Sequence, residues 1–336
     1  MSRTGVEVKP SWRDIPLALR RQVAEALGAP VARAQRVWGG YAPTPTFRLA
    51  LADGRRAFFK GTNYTSNDYS RYALTVEERV YGELSGLLGQ WMPRCDAAFR
   101  HEDWHVLLLE DVGPKSVPPW TPQITRSIAR ALAAYHRSTL GCEAPAWLKR
   151  PEIVFGRTSW RRTVEESGDM QQIAALAGDD APQALAWLQH ASPLIERLTM
   201  QPILAEGPHA VLHGDLRSDN MRFARGRLSL FDWPSITVGR PEWDIVVFAQ
   251  SVTVEGGPLP EQILAWYAEQ LPLAPAAVES ALAWWLMFFA NLAWRPDILG
   301  LPRLRRFQCQ QLGVLTQWAA RAFALPSPAW TARLLL

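Results

Sequence analysis

Asp215, Asn220 and Asp232 are the residues whose types and spacing could do chemistry, and all three lie within residues 211–233, VLHGDLRSDNMRFARGRLSLFDW. Mg²⁺ takes hard oxygen ligands and keeps several positions for water and substrate phosphates, so one amide and one carboxylate suffice when a nucleotide supplies the remainder. On that ground Asn220 and Asp232 are expected as magnesium ligands, and Asp215 is left free for an acceptor. In phosphoryl transfer to an alcohol, most of the catalysis is positioning and charge neutralisation, with one carboxylate orienting the hydroxyl and taking its proton. Bringing the three together requires a strand end at Val211-Leu212 and a sharp turn at Gly214. It also requires a second strand, Leu228–Phe231, reached through the turn Ala224-Arg225-Gly226-Arg227. A lone D-x-x-x-x-N is compatible with an ordinary polar turn in a hairpin; only the longer string separates the two readings.

That string, His-Gly-Asp-x-x-x-x-Asn at 213–220 with Phe-Asp-Trp at 231–233, resembles the catalytic segment of the aminoglycoside phosphotransferase and choline kinase group. This is the small-molecule branch of the protein-kinase-like fold, and the spacing parallels the protein-kinase pattern H-R-D-L-x-x-x-N followed by D-F-G. The resemblance runs from about residue 36 to about residue 250. It implies an α+β, bilobal fold: a small N-lobe with an antiparallel sheet plus a helix, and a larger, mainly helical C-lobe. It also implies transfer of the γ-phosphate of ATP or GTP to a hydroxyl of a small molecule, with Asp215 as the base and Asn220 and Asp232 on the metal. Arg217 is a departure, because the group most often has a His at that place and protein kinases a Lys; it is expected to help neutralise the transferring phosphoryl group.

The elements that must position this segment are readable upstream. The chain has 32 Arg but only four Lys, at 9, 60, 115 and 149, and Lys60 ends the apolar strand Ala57-Phe58-Phe59. A compact ammonium there can fit between phosphate oxygens and a carboxylate where a planar guanidinium cannot. In the predicted helix LTVEERVYGELSGLL, Glu77 shares the stripe of Val80, Tyr81 and Leu84, and a carboxylate on a buried face needs a partner. Kinase-like folds pair a strand lysine with a helix glutamate, which makes Lys60 that partner; the alternative is a capping box, Thr75-x-x-Glu78, with both glutamates in a first turn. Gly39-Gly40, between a strand at Val37-Trp38 and one at Phe47–Leu51, could cover phosphates or form a plain turn. By the resemblance, Glu110 to Gly113 is an interlobe hinge, with Glu110 and Val112 offering backbone groups to the nucleobase.

Beyond the hinge, Thr121-Pro122 opens a helix running to His136, residues 150–180 form an irregular polar stretch, and the helix Ala184–Met200 should break at Ser192-Pro193. Asp244 lies before an apolar helix, Ile245–Val252; by the resemblance it ties the start of that helix to the catalytic loop, and an ordinary N-cap is the alternative. The aromatics Trp284, Trp285, Phe288, Phe289 and Trp294 form a core stripe or line an acceptor pocket. The expected organisation is a helical preface at 1–35, a nucleotide-binding N-lobe at 36–113 and a helical C-lobe at 114–336 that carries the catalytic hairpin and the acceptor site.

Composition narrows the classes. With 48% hydrophobic and 20% charged residues and a net charge of +4, the chain suits a globular protein with no nucleic-acid footprint. The most apolar run, 281–294, is interrupted by Asn291 and reads as a buried helix and not a span of about 20 residues, so no membrane partner is expected. Three cysteines without metal or disulfide spacing point to the cytoplasm. Residues 245–336 hold five acidic residues against six arginines, which argues against a polycationic aminoglycoside as acceptor. Two other classes stay in view: a catalytically silent nucleotide-binding module, and a zinc hydrolase on His101-Glu102-x-x-His105, a signature that works only on a helix.

Overall fold

The computed structural model describes residues 9–38, 44–63, 68–155, 159–299 and 301–335. The chain divides into two compact units: Met1–Ser116 with Asp219–Pro234 and Leu299–Pro302, and Val117–Ser218 with Ser235–Ile298 and Arg303–Leu336.

The first unit is built on a five-stranded antiparallel sheet of β1 (Val31–Arg36), β2 (Thr46–Leu51), β3 (Arg56–Asn63), β4 (Cys95–His101) and β5 (Trp104–Glu110), in the order β1-β2-β3-β5-β4. Helix α1 (Leu17–Leu27) buries Leu19, Val23 and Leu27 in one core with Phe47, Leu49, Phe59, Val106 and Leu108. No side chain caps its N-terminus. A missing cap costs about 1 kcal/mol, whereas each fully buried aliphatic side chain contributes about 1.5–3 kcal/mol, so burial decides. Gly28, at φ 69°, ends the helix in the left-handed conformation that glycine adopts without a Cβ penalty. Side chains alternate across a strand, so the register that turns Ala57 and Phe59 toward α1 turns Lys60 to the opposite face. There α2 (Asp68–Glu83) packs on β3 and β5 with Leu74, Glu77, Val80 and Tyr81 buried.

Several elements differ from expectation. The first strand lies at Val31–Arg36 and not at Val37-Trp38, because as an edge strand it is held by its ladder to β2 and carries little apolar surface to announce it. Helix α2 begins at Asp68 within a polar stretch, which leaves Thr75 in mid-helix with its hydroxyl donating to the Arg71 carbonyl, so the capping-box reading of Thr75 and Glu78 falls away. The predicted single helix through Leu88 is divided, with α3 (Ser85–Leu88) following Leu84.

The second unit contains α4 (Pro122–Thr139), α5 (Pro151–Val154), α6 (Asp169–Ala175), α7 (Ala181–Thr199), α8 (Pro241–Val254), α9 (Pro260–Ala268), α10 (Pro275–Ala293) and α11 (Leu304–Ala322). The Thr121 hydroxyl accepts from Ile124 N–H and starts α4 as a side-chain cap. Helix α7 is continuous through Pro193. An interior proline costs about 3 kcal/mol, but Trp187, Leu188, Ala191, Ile195 and Leu198 bury one face of that helix, and Ser192 Oγ accepts from Trp160 Nε1 at 2.7 Å. The stretch 150–180 is largely helical where described, with α5, a π-helical turn at Arg161–Glu165 and α6, its polarity reflecting the outward faces around buried Trp160, Val164 and Ile173.

Helix α10 has the length and apolarity to cross a membrane, yet Ala281 to Met287 are all buried and the helix packs on α7, α8 and α11. Trp284 and Trp285 pack on Trp243 with ring centroids at 4.2 and 5.2 Å, which places these two in a core, while Phe288 and Trp294 are half-buried. Two small ribbons complete the pattern. β6 (Ala210–Leu212) pairs with β9 (Thr237–Gly239), and β7 (Met221–Ala224) pairs with β8 (Arg227–Leu230). The strand before Asp215 therefore takes its partner from beyond Asp232, and not from the second strand of its own segment.

Candidate active site

In the first unit, Lys60, Glu77 and Asp232 come together. Lys60 Nζ is ion-paired with Glu77 Oε2 and donates to Asp232 Oδ1 at 2.7 Å. The Glu77 side chain is 1% exposed and that of Lys60 14%, against 37% for Asp232, so the innermost carboxylate holds the ammonium and the outermost presents oxygen to solvent. Burial works against the Lys60 charge, but Asp232 and Glu77 beside it raise its pKa above the ordinary lysine value, so it stays an ammonium at neutral pH. Burial likewise pushes the Glu77 carboxyl up, and the lysine pulls it back. Glu77 also accepts from Trp233 N–H at 3.3 Å, which ties α2 to the chain just past Asp232.

The β7–β8 ribbon sets Asn220 and Asp232. Met221 pairs with Leu230 at its open end, and Phe231 N–H donates to the Asn220 carbonyl at 3.1 Å, so Asn220 and Asp232 flank one end of one ribbon. Asp232 has φ 70°, a left-handed conformation that Asp tolerates better than most residues, and the chain turns there immediately after β8. Among the described residues no group of three or more His, Cys, Asp and Glu side chains gathers as a metal site. One amide and one carboxylate, both hard oxygen donors, suit a cation whose remaining ligands are water and phosphate, which is the pattern of Mg²⁺.

Beyond β5, Gly113 is braced within the same unit. Its carbonyl accepts from Arg48 Nη2 and from Arg222 Nε, the latter at 3.1 Å, and its N–H donates to Asp111 Oδ1 at 3.0 Å. Burial, then the neighbouring Arg48, lowers the Arg222 pKa to about 10. Glu110 closes β5 opposite Ala57, and Val112 is half-buried. Sequence reasoning missed Arg48 and Arg222, which were two among many arginines. Gly39 and Gly40 lie outside the described residues.

In the second unit, Asp215 and Arg217 face each other, with Arg217 Nε 2.9 Å from Asp215 Oδ1 and the guanidinium 5.4 Å from the Phe307 ring centroid. The segment before them is held by Asp244, which is fully buried in the first turn of α8. Its carboxylate accepts from His213 N–H at 2.6 Å and from Gly214 N–H at 2.8 Å, so it braces the loop and is not an N-cap. His136 Nε2 lies 3.3 Å from the same carboxylate, and His136 Nδ1 lies 2.7 Å from the Tyr267 hydroxyl. Nothing in the sequence distinguished His136 from an ordinary packing histidine, and Tyr267 carried no signal at all. Gly214, at φ 77°, leaves no room for a side chain, because a Cβ there would stand 2.2 Å from the Ser235 carbonyl oxygen.

His101 and His105 sit on the β4–β5 hairpin and not on a helix. His101 pairs with Trp104 and His105 with Arg100, so the two histidines point to opposite faces of the sheet. His105 Nε2 instead meets Glu78 at 3.0 Å, a structural contact.

A five-stranded antiparallel sheet with its helix, joined to a mainly helical remainder, is the kinase-like fold, and the match with known proteins makes the chain a small-molecule phosphotransferase. Over residues 33–282 it matches the Phosphotransferase enzyme family (APH), and it belongs to that family. No curated protein sequence matches it significantly. Among solved structures it is similar to a spectinomycin phosphotransferase in complex with ADP and spectinomycin, at 14% identity and TM-score 0.61, covering 91% of this chain and 98% of that one. It is also similar to the macrolide 2'-phosphotransferase of Brachybacterium faecium, at 17% identity and TM-score 0.53, covering 93% and 97%. The choline kinase of Streptococcus pneumoniae aligns at 13% identity and TM-score 0.54, covering 88% and 97%.

Proposed function

We propose that the protein transfers the γ-phosphate of ATP or GTP, as its magnesium complex, to a hydroxyl of a small molecule that is not a polycationic aminoglycoside. The observation that carries this reading is the Lys60 ammonium, buried between Glu77 and Asp232. Glu77 holds the lysine so that its ammonium can meet nucleotide phosphates. Asn220 and Asp232 are the oxygen ligands for Mg²⁺, which when bound neutralises phosphate charge. Glu110 and Val112 offer backbone groups to the base. Asp215 orients the acceptor hydroxyl and takes its proton, and the hydroxyl oxygen attacks the γ-phosphorus in line as the nucleoside diphosphate leaves. To Arg217 we assign neutralisation of charge on the transferring group. The ADP bound to a similar phosphotransferase supports a nucleotide donor.

The acceptor reading rests on charge. Residues 245–336 carry five acidic residues and six arginines, and a polycation would need an excess of carboxylates. A neutral, amphiphilic or singly charged alcohol fits better. The test is an ADP-release screen across alcohols, sugars and kanamycin-like compounds, with Asp215→Asn as the control. Turnover is expected with a simple alcohol or sugar and lost in the variant. Turnover with the kanamycin-like compounds alone would overturn the acceptor class, and nucleotide binding without any turnover would make this a silent binding module.

A further inference from the structure

Helix α8 touches the Asp215 segment at both ends. Asp244, in its first turn, holds the backbone at His213 and Gly214. At the other end Glu255 caps the same helix, and Ser218 Oγ donates to Glu255 Oε1 at 2.6 Å. The second oxygen is also engaged, since Trp120 Nε1 donates to Glu255 Oε2 at 2.7 Å. Ser218 is 1% exposed and Trp120 7%, while Glu255 itself is exposed. A glutamate at an exposed helix end ordinarily gains little from being held in one geometry, because ordering its long side chain costs entropy. Here both oxygens make short hydrogen bonds assisted by the carboxylate charge, and the donors come from two segments far apart in sequence.

The surroundings fix the tryptophan. Its ring stands edge-on to Phe248 of α8 at 5.8 Å, and Phe248 is fully buried. Gly257 leaves the space that Trp120 needs, since a Cβ on Gly257 would stand 2.8 Å from Trp120 Cβ and 2.4 Å from Val252 Cγ1. Helix α8 is buried from Pro241 to Val252, so its two carboxylates, Asp244 and Glu255, reach the loop that carries Asp215 and Arg217 from opposite ends of one packed element.

We propose that Glu255, oriented by Trp120, is a positioning residue for phosphoryl transfer: through Ser218 it anchors the far end of the Asp215 loop, as Asp244 anchors the near end. This rests on the reading of Asp215 as the base. Neither Glu255 nor Trp120 touches the reacting groups, and each acts through the place it gives to Asp215.

The test is a set of four variants, Ser218→Ala, Glu255→Ala, Trp120→Phe and Gly257→Ala, each first shown to be folded by a cooperative thermal transition. Amide hydrogen exchange across residues 213–220 is measured together with ADP release to the best alcohol of the screen. The expected result is exchange about 10-fold faster in that segment and kcat lower by about 10-fold to 100-fold, with the KM for ATP unchanged. The double variant Ser218→Ala/Glu255→Ala should be no worse than Glu255→Ala alone, because the Ser218 bond is already lost in that variant. Trp120→Phe keeps an aromatic ring, though a smaller one, and loses the donor, so its loss is read against Gly257→Ala, which disturbs the packing of Trp120 and leaves the donor in place. A merely structural role would lower the thermal midpoint and leave kcat intact, and unchanged exchange and kcat in Ser218→Ala and Glu255→Ala would likewise overturn the proposal. Faster exchange with full turnover also overturns it as stated. If Asp215→Asn then retains turnover as well, the fault lies with Asp215 as the base and not with the anchorage, so the two failures are told apart.

Discussion

Around Lys60 the first unit sets two carboxylates against one ammonium, whereas around Asp215 the second unit directs its most buried carboxylate, Asp244, at two backbone N–H groups. One region is organised by side-chain charge and the other by backbone position. Removing a charge from the first strands its partner in a buried place, while removing the carboxylate from the second frees a loop. Binding should therefore fail first in the Lys60 region and turnover first in the Asp215 region.

The largest effect expected is that of Asp215→Asn, which should lower kcat by about 10²- to 10⁴-fold as a lost general base does and leave nucleotide affinity alone. Loss of nucleotide affinity in that variant would break the comparison. Next comes Lys60→Met, which should weaken nucleotide binding and cost about 3–5 kcal/mol of stability where Glu77 is ionised, because its 1%-exposed carboxylate loses its counter-charge. The pH dependence follows from the same residue. Burial already raises the Glu77 pKa, and loss of the lysine raises it further. A carboxyl with a raised folded-state pKa binds more protons folded than unfolded, so stability is greatest below its unfolded value of about 4.3 and falls as pH rises toward the folded one. Urea unfolding of Lys60→Met should thus show a larger deficit against wild type at pH 8 than at pH 5, and a pH-independent deficit would exclude Glu77 as its source.

A smaller loss is expected for Asp244→Asn, which keeps one oxygen and leaves one of the two N–H groups of His213 and Gly214 without its acceptor. An unsatisfied buried donor costs about 1–3 kcal/mol, read from chemical denaturation, and kcat should fall while nucleotide affinity holds. The smallest effect belongs to Arg126→Ala, whose pair with Glu269 is 51% and 34% exposed. Exposed pairs contribute about 0–1 kcal/mol, so this variant calibrates the others, and a comparable loss there would blur the distinction drawn between buried and exposed charge.

What was legible in the sequence follows from how local each signal is. Thr121-Pro122 starts α4 and Gly28 ends α1 because a cap acts within a few residues of itself. The two halves of the Lys60 and Glu77 pair were readable separately, one at the end of an apolar strand and one on an apolar helix stripe, and the structure brings them together. Pro193 misled, since the penalty for an interior proline is visible in the string but the buried face that outweighs it is not. The start of α2 was hidden for the opposite reason, its first turn being polar and held only as part of a longer helix.

The order of residues alone determined the segment 213–232, because turn, ribbon and the types of its three oxygen-bearing side chains are all local properties of the string. It also determined the alternation that sets Lys60 on the face opposite Phe59. Only the tertiary structure decided what holds these residues. The partnership of β6 with β9, the grip of Asp244 on His213 and Gly214, the contacts of His136 with Asp244 and Tyr267, and the hold of Glu255 on Ser218 all join residues distant in the chain. Such contacts form when separate elements bury their apolar faces together, and no spacing within a single element encodes them.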